Sequence, residues 1–389
     1  MKTKFKMFVF FFACFLLPAC KKSENGITNV KNIGITLRVV GESKFLIDSL
    51  TLFSSRYINY GEFEGQETLA ILNSDANRLQ VYSEATGELI WALDYYTSGE
   101  NSIGIKGAYG FYIENKESIY LFDGWKGVLS RVNSQGVILN RYDFAPNGVN
   151  TGYAFPVVST LSPIHYSSNH FTLYGIIPGI WRKMRLQNEV MLSYDIENDT
   201  LRYSLQRPKL NTEFNWGDGL MNFVYYDFID SLDQFIVSFA NSENLMLIDN
   251  NGIVQKELQT ESIFFDSVEP LMSDYNRIPD PELTEKYFFS EPRYWGVIHD
   301  PYRGVTYRVT QYPFDKALFK DGMRKMKSSI IILDRNFQKI GEQDIDPDEY
   351  DLKMMYVNKD GLNIASKKKF KVNEEVLTFD IFDFYDKVR

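Results

Sequence analysis

From residue 34 onward, apolar and polar positions mostly alternate in short runs, the two-residue period of strands that bury one face. The runs are rich in aromatic residues, with 30 Phe and 25 Tyr in the chain, and these suit a pleated, half-buried surface. Helical patterns are scarce. The two best are Pro281 to Phe289, which opens on Pro and carries Glu282 and Glu285 in its first turns, and Phe314 to Lys327. Both read as insertions in a β body.

One unit recurs along the chain: a strand ending in Asp, Asn or Ser, a short turn that often holds Gly, and a second strand. Leu79 to Trp91 is the first copy and Leu129 to Leu139 the second. Met191 to Leu201 repeats it without Gly, and Leu245 to Val254, Ile330 to Ile340 and Val376 to Ile381 follow. With Ser83, Asn133, Asp195, Asp249, Asp334 and Asp380 as markers, the steps are 50, 62, 54, 85 and 46 residues. A four-stranded propeller blade with its loops takes roughly 40 to 50. Asp, Asn and Gly fit tight hairpins, which need residues that tolerate positive φ. Further strand-like runs, such as Thr68 to Leu72 and Gln234 to Phe239, precede the markers.

The expected fold is therefore all-β, a six-bladed β-propeller with short helical insertions. A seven-bladed ring and a β-sandwich are the competing arrangements. Ile35 to Val40 is left over, and a ring needs such an N-terminal strand to close its last blade. Residues 34–389 then form a single domain.

The first 19 residues follow a different pattern. Lys2, Lys4 and Lys6 precede the apolar run Met7 to Ala19, whose 13 residues fall short of the roughly 20 that a membrane-spanning helix needs. The run reads as the apolar region of a signal peptide. It ends Leu17-Pro18-Ala19-Cys20, which resembles the bacterial lipobox, although Pro18 departs from the usual small residue. The resemblance implies cleavage before Cys20, lipidation of that cysteine, and anchoring to the outer membrane on its periplasmic face or at the cell surface. An ordinary secretory signal that ends near a cysteine is the alternative. Residues 20–33 then serve as a polar tether. Cys14 leaves with the signal, so the mature body has no free thiol and no disulfide. More than one acyl chain on Cys20 makes a durable anchor.

Loss of the three N-terminal lysines takes the chain from 42 basic residues to 39, against 51 acidic ones, a net charge of −12. Such a body disfavours nucleic acid and anionic lipid surfaces as partners. Arg182-Lys183-Met184-Arg185 and Lys367-Lys368-Lys369-Phe370-Lys371 read as solvated turns or charged strand edges.

Several segments carry a resemblance to a known family: Gly99-Glu100-Asn101-Ser102-Ile103-Gly104, Gly110-Phe111-Tyr112-Ile113, Asp123 to Gly136, and Phe155-Pro156-Val157-Val158. Together with the lipobox they resemble the Bacteroidetes lipoproteins grouped as domain of unknown function 4221. The resemblance implies a six-bladed propeller of the kind seen in TolB-like and NHL proteins, and a place in the cell envelope. It carries over no active-site residues.

The remaining chemistry is sparse. His165 and His170 lie five apart in a loop-like stretch, which is not the spacing of a zinc site on one helix face, and His299 is remote from both. No metal and no cofactor is expected. Asp344-Ile345-Asp346-Pro347-Asp348-Glu349-Tyr350-Asp351 spaces carboxylates as a calcium loop does, but it lacks the Gly of the sharp turn and contains Pro347. It reads as an acidic loop between blades. Glycine-rich phosphate loops and the Gly-x-Ser-x-Gly elbow are missing.

Trp125 and Trp216 each sit among glycines, so either indole could stack on a ligand or pack between blades. The function expected is a binding or scaffold module for a glycan, a peptide or an envelope protein. The alternative is a calcium-dependent hydrolase or lactonase with carboxylates converging on the central channel.

Overall fold

The computed structural model describes residues 33–385, apart from 52, 56, 147, 149–151, 178–187, 218–219 and 314–325. They form six small antiparallel sheets, the blades of a β-propeller. Blade 1 holds Ile58–Phe63, Gln66–Asn73, Arg78–Ser83 and Leu89–Asp94, and blade 2 holds Gly110–Asn115, Ser118–Asp123, Val128–Val132 and Ile138–Asp143. Blade 3 holds His165–Ser167, His170–Ile176, Glu189–Asp195 and Thr200–Gln206, with Phe155–Pro156 also paired to its second strand. Blade 4 holds Val224–Ile229, Gln234–Phe239, Asn244–Ile248 and Val254–Gln259. Blade 5 holds Arg293–Asp300, Val305–Pro313, Met326–Leu333 and Lys339–Ile345, with Ile33–Gly34 on its outer edge. Blade 6 takes Tyr350–Asn358, Gly361–Ser366 and Val376–Tyr385 from the end of the chain and Thr36–Leu46 from its beginning.

That last pairing closes the ring, as the leftover N-terminal run led one to expect. Thr36 opposes Tyr385 and Leu46 opposes Val376, with a bulge at Val39–Gly41. The closing strand is longer than the sequence suggested, because it continues through Lys44 and Phe45 to meet blade 1. There the Leu46 N–H donates to the carbonyl of Gly87 at 2.8 Å. Gly87 has φ +70°, and a Cβ on it would lie 2.0 Å from the Lys44 carbonyl oxygen, so the contact requires glycine.

First strands of neighbouring blades lie alongside one another, which places them around the axis. Second and third strands are covered on both faces by adjacent blades, and they read as near-continuous apolar runs: Ile330, Ile331, Ile332 and Leu333 are all fully buried. Outer strands such as Val254–Gln259 face solvent and are polar. The core is accordingly a series of inter-blade clusters, one spanning blades 1 to 3, one spanning blades 4 to 6, and two smaller ones at the seams.

The repeated markers work differently from the expectation. Asp249 has ordinary backbone angles, and its carboxylate accepts the N–H groups of Asn251 and Ile253. Asn133 does the same for Gln135 and Val137, and Asp334 for Asn336 and Gln338. These three markers thus cap their turns with their side chains, whereas at Ser83 the turn is closed by backbone bonds, with the Gly87 N–H donating to the Ser83 carbonyl. Positive φ falls on the following glycine, at +74° in Gly136 and +79° in Gly252. Blade 5 puts Phe337 there instead at +62°, and blade 3 uses Asp199 at +50°. Asp380 marks no turn at all: it lies inside the strand Val376–Tyr385, whose outer partner is the closing strand.

The helix expected from Pro281 runs Pro281–Ser290, capped by Asp280, whose carboxylate accepts the N–H groups of Glu282 and Leu283. Most of the other helical candidate, 314–325, lies outside the described residues, and Met326 and Lys327 begin a strand. The acidic run 344–351 leaves blade 5 and enters blade 6 through a turn in which the Asp346 carboxylate accepts the Asp348 N–H. Lys367–Phe370 forms one helical turn between the second and third strands of blade 6.

Candidate functional site

Where strands begin at the axis, two of them break register. In blade 5, Tyr294 pairs with Thr310 and Gly296 with Val309, so Trp295 has no cross-strand partner. In blade 6, Asp351 pairs with Ala365 and Met355 with Ile364, which leaves Leu352, Lys353 and Met354 in a wider bulge. Bulges re-aim side chains that regular pairing would hold in the pleat. Leu352 and Met354 turn into the core, while Lys353 is exposed and Trp295 half-exposed.

Both bulged side chains line one pocket of about 210 Å³, together with Ser159, Thr160, Leu161, Phe223 and Tyr225. Phe223 and Tyr225 stack with ring centres 6.1 Å apart, and Tyr225 stacks on Trp295 at 6.0 Å. A three-ring ladder from blades 4 and 5 therefore forms one wall. Gly296 allows it, since a Cβ there would lie 2.5 Å from the Leu161 side chain.

The charge of the pocket is opposite to that of the chain. Lys353 Nζ lies 5.9 Å from the centre of the Trp295 ring, and the Arg293 guanidinium lies 5.1 Å from it. Arg293 is buried, stacks on Phe288 at 3.7 Å, and donates to the Gln311 side-chain oxygen and the Phe288 carbonyl. Burial pulls its guanidinium down to about 10, which leaves it charged at neutral pH. Among the described residues no Asp or Glu lines the pocket. Burial also holds the Tyr225 phenol above its ordinary value, so that group stays neutral. The arrangement offers stacking, hydroxyls and positive charge; it presents no nucleophile beside a base.

Two larger grooves, of about 560 and 540 Å³, flank the closing strand. Their charges satisfy one another: Lys369 with Glu42 and Asp380, Lys368 with Glu349, and Lys359 with Glu67. Glu84 in the second groove accepts from Ser43, Tyr356 and Asn358, and this pins blade 1 to blade 6. The second groove is a seam between blades 6 and 1, and the first lies within blade 6.

The residues singled out from the sequence are scattered. Cys20 and Arg182 to Arg185 lie outside the described residues. Trp125 is 58% exposed on the turn after the second strand of blade 2, where its Nε1 donates to the Tyr109 hydroxyl and Lys106 lies 5.8 Å from its ring. Trp216 is 1% exposed and must be withdrawn as a stacking surface. It packs with Met221 and Tyr287 where two inter-blade connections meet, and its Nε1 donates to the Leu210 carbonyl. An antiparallel bridge between Asn215 and Met272 joins those connections.

Of the histidines, His165 serves packing. His165 lies 4.1 Å from Phe228 and 5.0 Å from Phe235, ring centre to ring centre, and burial lowers its imidazole to about 4. Among the described residues no three His, Cys, Asp or Glu side chains converge on a metal position.

The whole ring resembles solved structures. A member of the DUF4221 family from Bacteroides vulgatus superposes with a TM-score of 0.76 at 20% identity, over 92% of this chain and 100% of that one. A Bacteroides fragilis protein described as exported superposes with a TM-score of 0.53 at 11% identity, over 90% of this chain and 96% of that one. No curated protein matches. Both likenesses speak for the fold. The family profile described as domain of unknown function (DUF4221) matches residues 36–344, and the chain belongs to that family.

Proposed function

We propose that the protein is a lipid-anchored, extracytoplasmic binding module whose axial pocket takes a small ligand or the end of a glycan or peptide. One observation carries the reading: two independent bulges in innermost strands deliver Trp295 and Lys353 to the same aromatic-walled pocket. Pockets of this kind, apolar with a few placed polar groups, are where ligands bind. The lipobox at Leu17-Pro18-Ala19-Cys20 supports the anchor, and the fold shared with a protein described as exported supports the compartment. Among the described residues no helix is long and apolar enough to cross a membrane.

The calcium-dependent hydrolase has less support. Its carboxylates would have to converge on the channel, whereas Asp227, on the innermost strand of blade 4, is engaged by the N–H groups of Phe228 and His299.

Two experiments test the proposal. Cys20→Ser should move the protein from the detergent phase to the aqueous phase on detergent partitioning; retention in detergent contradicts the anchor. Thermal-shift screening of small sugars and peptides should find ligands that stabilise the wild type and leave Trp295→Ala unmoved. Equal stabilisation of both proteins contradicts the site.

A further inference from the structure

We infer that the axial pocket recognises a single six-membered ring that bears one carboxylate, a sugar acid, with the ring against Trp295 and the carboxylate at Lys353. This rests on the reading of the pocket as a ligand site.

Charge is the first support. The chain has more acidic than basic residues, yet among the described residues the pocket is lined by one lysine and no acid. Several lysines elsewhere are matched: Lys339 with Glu342, Lys359 with Glu67, Lys368 with Glu349, and Lys369 with Glu42 and Asp380. Among the described residues Lys353 has no carboxylate within ion-pairing distance, and its contact is the face of Trp295. Behind that ring the buried Arg293 donates only to neutral oxygens. Among the described residues two positive charges without a paired carboxylate therefore border one indole. A bound carboxylate would supply a counter-charge at Lys353.

Size and polarity narrow the class. At about 210 Å³ the pocket is smaller than the roughly 300 Å³ at which drug-sized sites begin, so one ring fits. Ser159 and Thr160 are among its lining residues. Thr160 Oγ1 accepts the Ile58 N–H at 3.1 Å and keeps its own proton for a ligand oxygen. A ring with hydroxyls and a carboxylate uses the aromatic wall, the Thr160 hydroxyl and the lysine together. A plain aromatic acid uses only the first and last.

The test is calorimetric titration of the intact protein, purified in detergent, with galacturonate, galactose and benzoate. Galacturonate should bind at least about tenfold more tightly than galactose, since a charge-assisted hydrogen bond is worth that much. Lys353→Met should erase the preference for the acid, and Trp295→Ala should remove binding of both sugars. Equal affinity for the two sugars, or a preference that survives Lys353→Met, overturns the acid assignment and leaves the pocket standing. Tighter binding of benzoate than of galacturonate overturns the sugar assignment. Binding that persists in Trp295→Ala, or no binding of any of the three, overturns both this inference and the pocket.

Discussion

The carboxylate of Asp227, on the innermost strand of blade 4, accepts the backbone N–H of His299 on the innermost strand of blade 5 at 2.7 Å. It fills the hydrogen-bonding place that a neighbouring strand would take at the free inner edge of blade 5. Enclosure costs the ion its solvation and pushes the Asp227 carboxyl up to about 7.

A carboxyl raised in the folded state contributes most below its unfolded value near 4, and that contribution fades as pH climbs through about 7. Asp227→Asn cannot ionise. In urea unfolding, its stability relative to wild type should improve between about pH 5 and pH 8, even if one lost acceptor lowers both values. A difference that is constant with pH contradicts the enclosed carboxylate.

His165 has the opposite sign. Its folded value is lowered to about 4, so the neutral form is held between Phe228 and Phe235, and stability is lost as pH falls from about 6.5 toward 4. At pH 4 the loss approaches about 3 kcal/mol. His165→Phe should remove it, so that the variant gains on wild type in acid and not above pH 7. The two groups tilt the wild-type curve in opposite directions between pH 4 and 7, and the double variant should restore the flatness that either single variant lacks.

Arg308 is fully buried between blades 4 and 5 and donates to the Ser238 and Thr260 hydroxyls and to the carbonyls of Ser242 and Glu243. Its guanidinium also lies 3.6 Å from the centre of the Tyr294 ring. Arg308→Met leaves those acceptors dry and should cost about 3 kcal/mol or more in urea unfolding. Arg308→Lys should recover less than half, because an ammonium cannot fork to both carbonyls. Near-wild-type stability of Arg308→Met contradicts its role as the clamp of this seam.

The capped turns predict a smaller effect. Asp249→Ala and Asp334→Ala each remove an acceptor from two backbone N–H groups and should cost about 1 to 2 kcal/mol apiece. The sites lie on different blades, so the double variant should cost the sum. Strong non-additivity in the same unfolding assay contradicts independent caps.

Gly296 and Leu161 share one space. Gly296→Ala should destabilise by about 1 to 3 kcal/mol through overpacking, and Leu161→Ala in the same chain should recover part of that cost. Recovery measured by a double-mutant cycle confirms the contact, whereas simple additivity denies it.

Blade number, ring closure and the helix from Pro281 were legible because they rest on local patterns: strand period, turn residues at recurring steps, and Pro281 followed by Glu282 and Glu285. The site was not. Tyr294-Trp295-Gly296 reads as an ordinary strand, and the bulge that frees Trp295 exists only in its register with blade 5's second strand. Lys353 is likewise displaced by pairing between strands, which a single sequence does not display. Trp216 misled for the converse reason. Glycine neighbours suggest exposure, but a distant connection, bridged at Asn215 and Met272, supplies the cover. Only the Gly beside Trp295 hinted at a bulge in a strand.

The most direct test of the account is fluorine NMR of the intact protein labelled with fluorotryptophan, recorded as galacturonate is added. Its five tryptophans give five resonances, and single Phe replacements assign them. The Trp295 resonance should shift with saturation while those of Trp125 and Trp216 stay still. A saturable shift at Trp125, with Trp295 unmoved, would place the site on the rim of blade 2 and contradict the axial pocket.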